Sequence, residues 1–241
     1  MREMILLTQI LCVDTSTSVA GVAIAEGTNI LAEYTVNSNK THSQRLMLMI
    51  EEVFERLDFK PSKIDVFAAV SGPGSFTGLR IGICAVKAMA YVWRKPVVAV
   101  PTLDVLAYNI PTSASQYVCP MIDARNNQVY TAIYKSSGTK WENISGYMAV
   151  GIAELLESVK SLNASVTING DGVLAHKDFF ISGLGDKCQI APYNNLLQRP
   201  STAALLAYDK ILRGEQEECM DLVPFYLRKS QAERLFGQIS D

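Results

Sequence analysis

A chain of 241 residues, 49% of them hydrophobic, is long enough to bury a substantial core in one large domain or in two lobes. Its formal net charge of -2 leaves no basic face to grip nucleic acid or an anionic membrane unaided, so RNA contact, if there is any, has to come mainly through another subunit. Five cysteines, an odd number with no C-x-x-C pair, argue against a disulfide frame or a zinc site and for free thiols in a reducing compartment.

The apolar run after Arg2 is broken by Thr8 and Gln9 and followed at once by Asp14, unlike a secretory signal. Leu11 also stands before Cys12, where a lipoprotein signal needs a small residue. With no run of about 18 apolar residues, a cytoplasmic location and no membrane span are expected. Ile10–Asp14 reads as a short strand ending on Asp, and Val19–Ala25 and Ile30–Val36 as two more, joined by the turn signal EGTN. A helix follows from about Thr41 to Leu57. Thr41-x-x-Gln44 fits a capping box, and Leu46, Ile50, Val53 and Leu57 fall at helical spacing. Next come a strand at Ile64–Val70, the loop SGPGSFTGLRIG (Ser71–Gly82), a helix to about Arg94 and a strand at Val97–Val100.

The second half repeats this order. Tyr117–Asp123 is a strand ending on Asp, Gln128–Tyr134 and Lys140–Tyr147 are strands joined by KSSG, Ile152–Leu162 is a helix, and Val166–Asn169 is a strand followed by GDG. After an irregular stretch comes a helix over Ser201–Arg213 with Ser201 as its cap. Duplicated βββαβα halves, each opening on a strand, an Asp and a hairpin, predict an α/β chain with the duplicated actin-like fold of the sugar-kinase and heat-shock ATPase superfamily. The expected lobes are 1–105 and 106–199, with a helix and tail at 200–241 packing back on the first lobe.

DTSTS, Asp14–Ser18, stands where that superfamily has its first phosphate loop. Asp14, Thr15 and Ser16 suit nucleotide contact, and equally suit a turn that bonds its own backbone. The glycine loop has Leu79-Arg80 where a P-loop needs Lys-[ST], and its G-x-G-x-x-x-G spacing is one residue off the dinucleotide fingerprint. Its glycines allow a tight turn, Pro73 fixes φ, and Thr77 is a candidate cap for the next helix. The loop then presents Ser75, Phe76 and Arg80 at a helix start, as an interface-positioning element. The two histidines, His42 and His176, lie far apart, so no local His pair can hold a metal. No G-x-S-x-G elbow is present, and no cysteine has a neighbouring His. Asp14 and Asp123 are positioned to face each other across the cleft, although duplication alone explains their mirrored places.

SGPGSFTGLRIG, continuing to AVKAMAY, closely resembles the signature of the bacterial TsaB (YeaZ) family. DARNNQVY (Asp123–Tyr130) and VPFYLR (Val223–Arg228) resemble two more of its segments, and the likeness runs from about Cys12 to Arg228. It implies an actin-like subunit that helps make N6-threonylcarbamoyladenosine next to the tRNA anticodon. It further implies a non-catalytic scaffold beside the catalytic paralogue TsaD and the ATPase TsaE, which carry the nucleotide and metal. The paralogue's H-x-x-x-H metal pair falls here on Thr102 and Leu106, a feeble ligand and a non-ligand. The competing readings are an actin-like ATPase or small-molecule kinase and, less favoured, a glycoprotease-like metallopeptidase.

One expectation comes from periodicity. In Leu79–Trp93 the only charges are Arg80 and Lys87, and with Arg94 they form one narrow stripe at 100° per residue. The rest is apolar or small, more than one core contact needs. Ile81, Ile83, Ala85, Ala88, Met89 and Val92, together with Met47, Leu48, Met49 and Phe54 of the preceding helix, are therefore expected at an interface with a second copy or with the paralogue.

Overall fold

A computed structural model describes residues 7–38, 41–113 and 116–228. Arg2 and the part of the expected tail at 229–241 lie outside the described residues. The first lobe is a five-stranded sheet of order β3-β2-β1-β4-β5, from β1 (Gln9–Asp14), β2 (Val19–Glu26), β3 (Asn29–Asn37), β4 (Val66–Gly72) and β5 (Val97–Pro101). β1, β4 and β5 are parallel, and β2 and β3 continue the sheet antiparallel. The second lobe repeats the plan in the order β10 (Met148–Gly151), β7 (Gln128–Thr131), β6 (Tyr117–Asp123), β11 (Val166–Asn169) and β12 (Cys188–Ile190), where β6 takes the place of β1. The duplicated actin-like fold is thus present, with two short strands, β8 (Tyr134–Ser136) and β9 (Trp141–Asn143), added to the second sheet off this path.

Along β1, Leu11 and Val13 face one side and Ile10 and Cys12 the other, and both sides are buried. Two helices cover the first side, α1 (His42–Arg56) and α2 (Phe76–Trp93), through Leu46, Ile50, Val53, Ile83 and Val86. The Gln44 arm of the expected capping box forms, its Oε1 accepting from the Thr41 N–H at 3.3 Å. In the second lobe, α4 (Ile152–Ser161) and α5 (Asp171–Leu184) pack Leu155, Val159, Val173 and Phe180 on one sheet face.

The inner faces are covered by helices that change lobes. α3 (Thr102–Tyr108) leaves β5 of the first lobe yet places Leu103 and Leu106 against Ile122, Tyr130 and Tyr134 of the second. α7 (Pro200–Leu212) returns from the second lobe and lays Ala203, Ala204 and Ala207 on Cys12, Ala23 and Ala68 of the first.

Several elements differ from expectation. The strand expected at Ile64–Val70 runs from Val66 to Gly72, because Pro61–Lys63 forms a 3-10 turn that ends at Ile64. The two strands expected over Gln128–Tyr134 and Lys140–Tyr147 are four: β7 (Gln128–Thr131), β8 (Tyr134–Ser136), β9 (Trp141–Asn143) and β10 (Met148–Gly151). β7 pairs with the end of β6 while β8 pairs with its start, and residues 129–134 are all buried, so hydrophobicity does not mark the break. The supposed irregular stretch holds α5, β12 (Cys188–Ile190) and α6 (Tyr193–Leu196). Exposed Leu174, Phe179 and Ile181 on α5 blur its helical period. Ser201 is not a cap: α7 starts at Pro200 with Arg199 before it, and the Ser201 hydroxyl donates to Glu33 at 2.8 Å.

Candidate functional site: two interlocked loops beside an exposed helical face

The cap of α2 is Ser75, one turn-start earlier than the expected Thr77, and its Oγ accepts from the Gly78 N–H at 3.2 Å. Onto this loop the first one folds directly. Ser75 N–H donates to the Ser16 carbonyl at 2.7 Å, and the Thr15 hydroxyl donates to the Gly78 carbonyl at 2.7 Å. A Cβ at Gly74 would lie 2.1 Å from the Ser16 oxygen, and one at Gly78 would lie 2.1 Å from the Thr15 oxygen. The glycines therefore admit the DTSTS loop, and the two loops interlock through backbone contacts.

Asp14, Thr15 and Ser16 are at most 1% exposed. Asp14 Oδ1 accepts from the Ser16 N–H at 2.9 Å and from its hydroxyl at 2.7 Å, while Oδ2 is buried without a partner. Burial pushes this carboxyl up to about 6, and the Ser16 hydrogen bonds only partly oppose it. His42 is half-buried and donates from Nε2 to the Thr17 carbonyl at 2.8 Å. Burial lowers its pKa, so it serves the neutral ring as a structural donor.

Between the lobes lies a cavity of about 660 Å³, walled by both loops of the first lobe, through Ser16, Ser18, Gly74 and Ser75, and by Asp123, Arg125 and Asp171 of the second. Asp14 and Asp123 do not face each other across it: Asp123 is exposed on the wall and Asp14 is sealed behind Ser16. The neighbour of Asp123 is Asp171, a residue not singled out from sequence, whose Oδ1 accepts from the Asp123 N–H at 3.0 Å and whose pKa burial raises to about 6. Arg125, Asn126 and Asn127 are three successive left-handed residues (φ 63, 53 and 54) that turn the chain back into β7. Among the described residues, no three His, Cys, Asp or Glu side chains come together to hold a metal.

Around α2, at 100° per residue, Leu79, Gly82, Ile83, Val86 and Ala90 form the buried arc. The charged stripe beside it is covered by the C-terminal segment: Arg80 Nε donates to the Tyr226 hydroxyl at 3.0 Å and Lys87 Nζ to the Met220 carbonyl at 2.9 Å. The remaining arc, with Thr77, Cys84, Ala88, Tyr91 and Val92, is exposed, as are Met47 and Leu48 of α1, the latter beside Glu51, Glu52 and Glu55. Tyr91, Val92, Met47 and Leu48 are each more than half exposed, which a single free surface side chain does not explain. By length and composition α2 also suffices to cross a bilayer, yet a third of it is buried in this core.

Three residues of the expected interface are corrected. Ile83 and Phe54 belong to the chain's own core, as does Met49, because the α1–α2 pair closes over the sheet through them. Ile81, Ala85 and Met89 are partly buried at that helix pair, Ala88, Val92 and Met47 point outward, Ser75 is exposed with its hydroxyl engaged as the cap, and Phe76 lies under the Tyr226 ring.

Residues 29–236 match the family described as TsaD, tRNA N6-adenosine threonylcarbamoyltransferase. The tRNA threonylcarbamoyladenosine biosynthesis protein TsaB of Bacillus subtilis is 33% identical over 93% of this chain and 96% of its own length. The chain belongs to the TsaB family. TsaB of Escherichia coli is 31% identical over 53% of this chain and 55% of its own length. Among solved structures, YeaZ from Pseudomonas aeruginosa superposes with a TM-score of 0.74 at 26% identity, covering 91% of this chain and 100% of that one. The ethanolamine utilization protein EutJ of Carboxydothermus hydrogenoformans, at 14% identity and a TM-score of 0.51 over 81% of this chain and 88% of its own, shares the fold alone. Within the TsaB family, Thr102 and Leu106 of this chain are fully buried in α3. Of the three segments that resemble the family, VPFYLR had no structural role readable in sequence. Its Phe225 and Tyr226 were missed as site residues, and the motif itself was the one signal that marked them.

Proposed function

We propose that this chain is the non-catalytic scaffold of the machinery that makes threonylcarbamoyladenosine in tRNA, working in the cytoplasm. It docks through the exposed face of α1 and α2 on the catalytic paralogue TsaD, acts with the ATPase TsaE, and self-associates when alone. The observation that carries this is the exposed apolar arc of Cys84, Ala88, Tyr91 and Val92 on α2, with Met47 exposed on α1. Two helices from each subunit make a four-helix contact about a two-fold axis, and a paralogue of the same fold substitutes for one copy. The small residues Cys84 and Ala88 permit close approach at its centre. ATP and metal belong to the partners, and tRNA is met through the complex. The burial of the Asp14 carboxylate and of Thr102 and Leu106 supports this reading over a kinase or a metallopeptidase.

The test is Ala88→Arg in a Cys188→Ser background, with Cys84 as reporter, since Cys12, Cys119 and Cys219 are buried and Cys188 is partly exposed. A short bis-maleimide should link two parent chains through Cys84. The variant should fold, be monomeric by light scattering, lose the crosslink and bind TsaD at least about 100-fold more weakly, as a charge forced into an apolar contact implies. A folded variant that still dimerises and binds TsaD normally would sink the proposal.

A further inference from the structure

The three family-like segments, separate in sequence, meet at one end of the cleft, and the C-terminal segment joins them. It begins in the first lobe, where Glu217 and Val97 exchange both backbone hydrogen bonds at 2.9 Å and Leu222 is buried in the core. Phe225 N–H then donates to the Ser71 carbonyl at 2.7 Å, prolonging the end of β4. The Phe225 carbonyl sits 2.3 Å from where a Cβ at Gly72 would be, so that glycine (φ 126) is required by this contact. The Tyr226 ring stacks on Phe76, 4.3 Å between centroids and 16° between planes.

Within two residues the same segment is attached to the second lobe. Leu227 packs on the core that contains Ile122 and Tyr130. Arg228 donates to Gln128 Oε1 at 2.6 Å and lies over the Tyr130 ring. The Phe225 ring meets Tyr147 edge-on at 5.4 Å, and the Tyr147 hydroxyl donates to Asp104 of α3 at 2.9 Å. Beneath it, between Pro73, Phe76 and Tyr130, no room remains for a water molecule.

The lobes are joined covalently at two other crossings, through α3 and through residues 197–200. Those crossings are bonded to each other, Asn109 Nδ2 donating to the Leu197 carbonyl at 2.7 Å and Thr202 to Asn109 Oδ1 at 2.6 Å. Two neighbouring crossings define a hinge, and a hinge leaves one rotation free. A third attachment at the Phe76–Tyr130 end of the cleft removes it. We propose that residues 225–228 are a clasp that holds the two lobes at one angle. By the same contacts it fixes Phe76 and Arg80 beside the docking face. The clasp stands on intrachain contacts and does not depend on the partner proposed above.

Spin labels at Thr28→Cys and Glu157→Cys, with Cys84 and Cys188 replaced by Ser, report the distance between lobes in chains diluted into excess unlabelled protein. The parent should give one narrow distribution, and Tyr226→Ala/Arg228→Ala should broaden it at least about twofold with circular dichroism unchanged. A folded variant with an unchanged distribution would overturn the clasp. Should that variant not fold, hydrogen exchange of the unmodified chain decides. The Phe225 amide should exchange at least about 100-fold more slowly than an unstructured peptide, and exchange at the unstructured rate would equally overturn the proposal. Loss of TsaD binding in Ala88→Arg leaves both readouts untouched, so failure of the docking face and failure of the clasp are separable.

Discussion

At Gly78 one added methyl would reach the carbonyl oxygen of Thr15, a backbone atom that is itself held by β1 and by the Ser16–Ser75 bond. Gly78→Ala should therefore cost about 3 kcal/mol or more, the upper range for overpacking a site with no soft neighbour, read as a lower urea midpoint. A loss below about 1 kcal/mol would mean the two loops are not locked together. Asp14 carries a second residue-level prediction. Its folded pKa of about 6 lies above the ordinary 3.8, so the folded chain holds that proton more tightly than the unfolded chain does. The stability linked to Asp14 is thus fully present below 3.8 and lost as pH rises through about 6. Asp14→Asn should be more stable than the parent by up to about 3 kcal/mol at pH 7, with the gap closing by pH 4 in urea titrations. A gap that stays constant with pH would refute it. Asp171, raised in the same direction by burial, adds to the parent's slope in the same window.

Among elements, α2 carries three different faces on one 18-residue helix: the core arc, the arc under the C-terminal segment and the exposed arc. Its start depends on Ser75, whose hydroxyl satisfies the Gly78 N–H while its own N–H bonds Ser16. Ser75→Ala removes only the side-chain cap and should cost about 1 kcal/mol in thermal unfolding, whereas Thr77→Ala should cost nothing comparable. Equal losses at the two positions would return the cap to Thr77. The sequence analysis singled out Thr77 alone, and only the direction of the chain entering from Gly74 hands the cap to Ser75. The arcs were half legible in the same way. An excess of apolar surface on α2 could be counted, yet Ala88 and Ala90, two residues apart, lie on opposite sides, exposed and fully buried. Which side meets the sheet depends on α1 and β4, not on the helix's own pattern. α5 escaped notice for the converse reason, its exposed Leu174 and Ile181 erasing the contrast on which periodicity depends.

For the molecule as a whole, a net charge of -2 leaves few phosphates to neutralise. The chain alone should bind tRNA more weakly than about 1 µM at physiological salt, and should not modify it until TsaD is added. A sub-micromolar complex, or modification by the pure chain, would refute the scaffold reading. The duplicated plan was readable because each half repeats strand, Asp and hairpin, and strand pairing follows locally from such a pattern. The family was readable because the loop at Ser71–Gly82 is a specific string. What those glycines do was not readable. Gly74 and Gly78 serve a loop some 60 residues earlier, and Gly72 serves Phe225 at the other end of the chain. Composition and local period by themselves determined the lobes, the net charge and the surplus of apolar surface, since these depend on residues close in sequence. The interlocking of the two loops, the outward side of α2 and the attachment of the C-terminal segment to both lobes were decided only in three dimensions, because each is a contact between segments whose sequences carry no mark of one another.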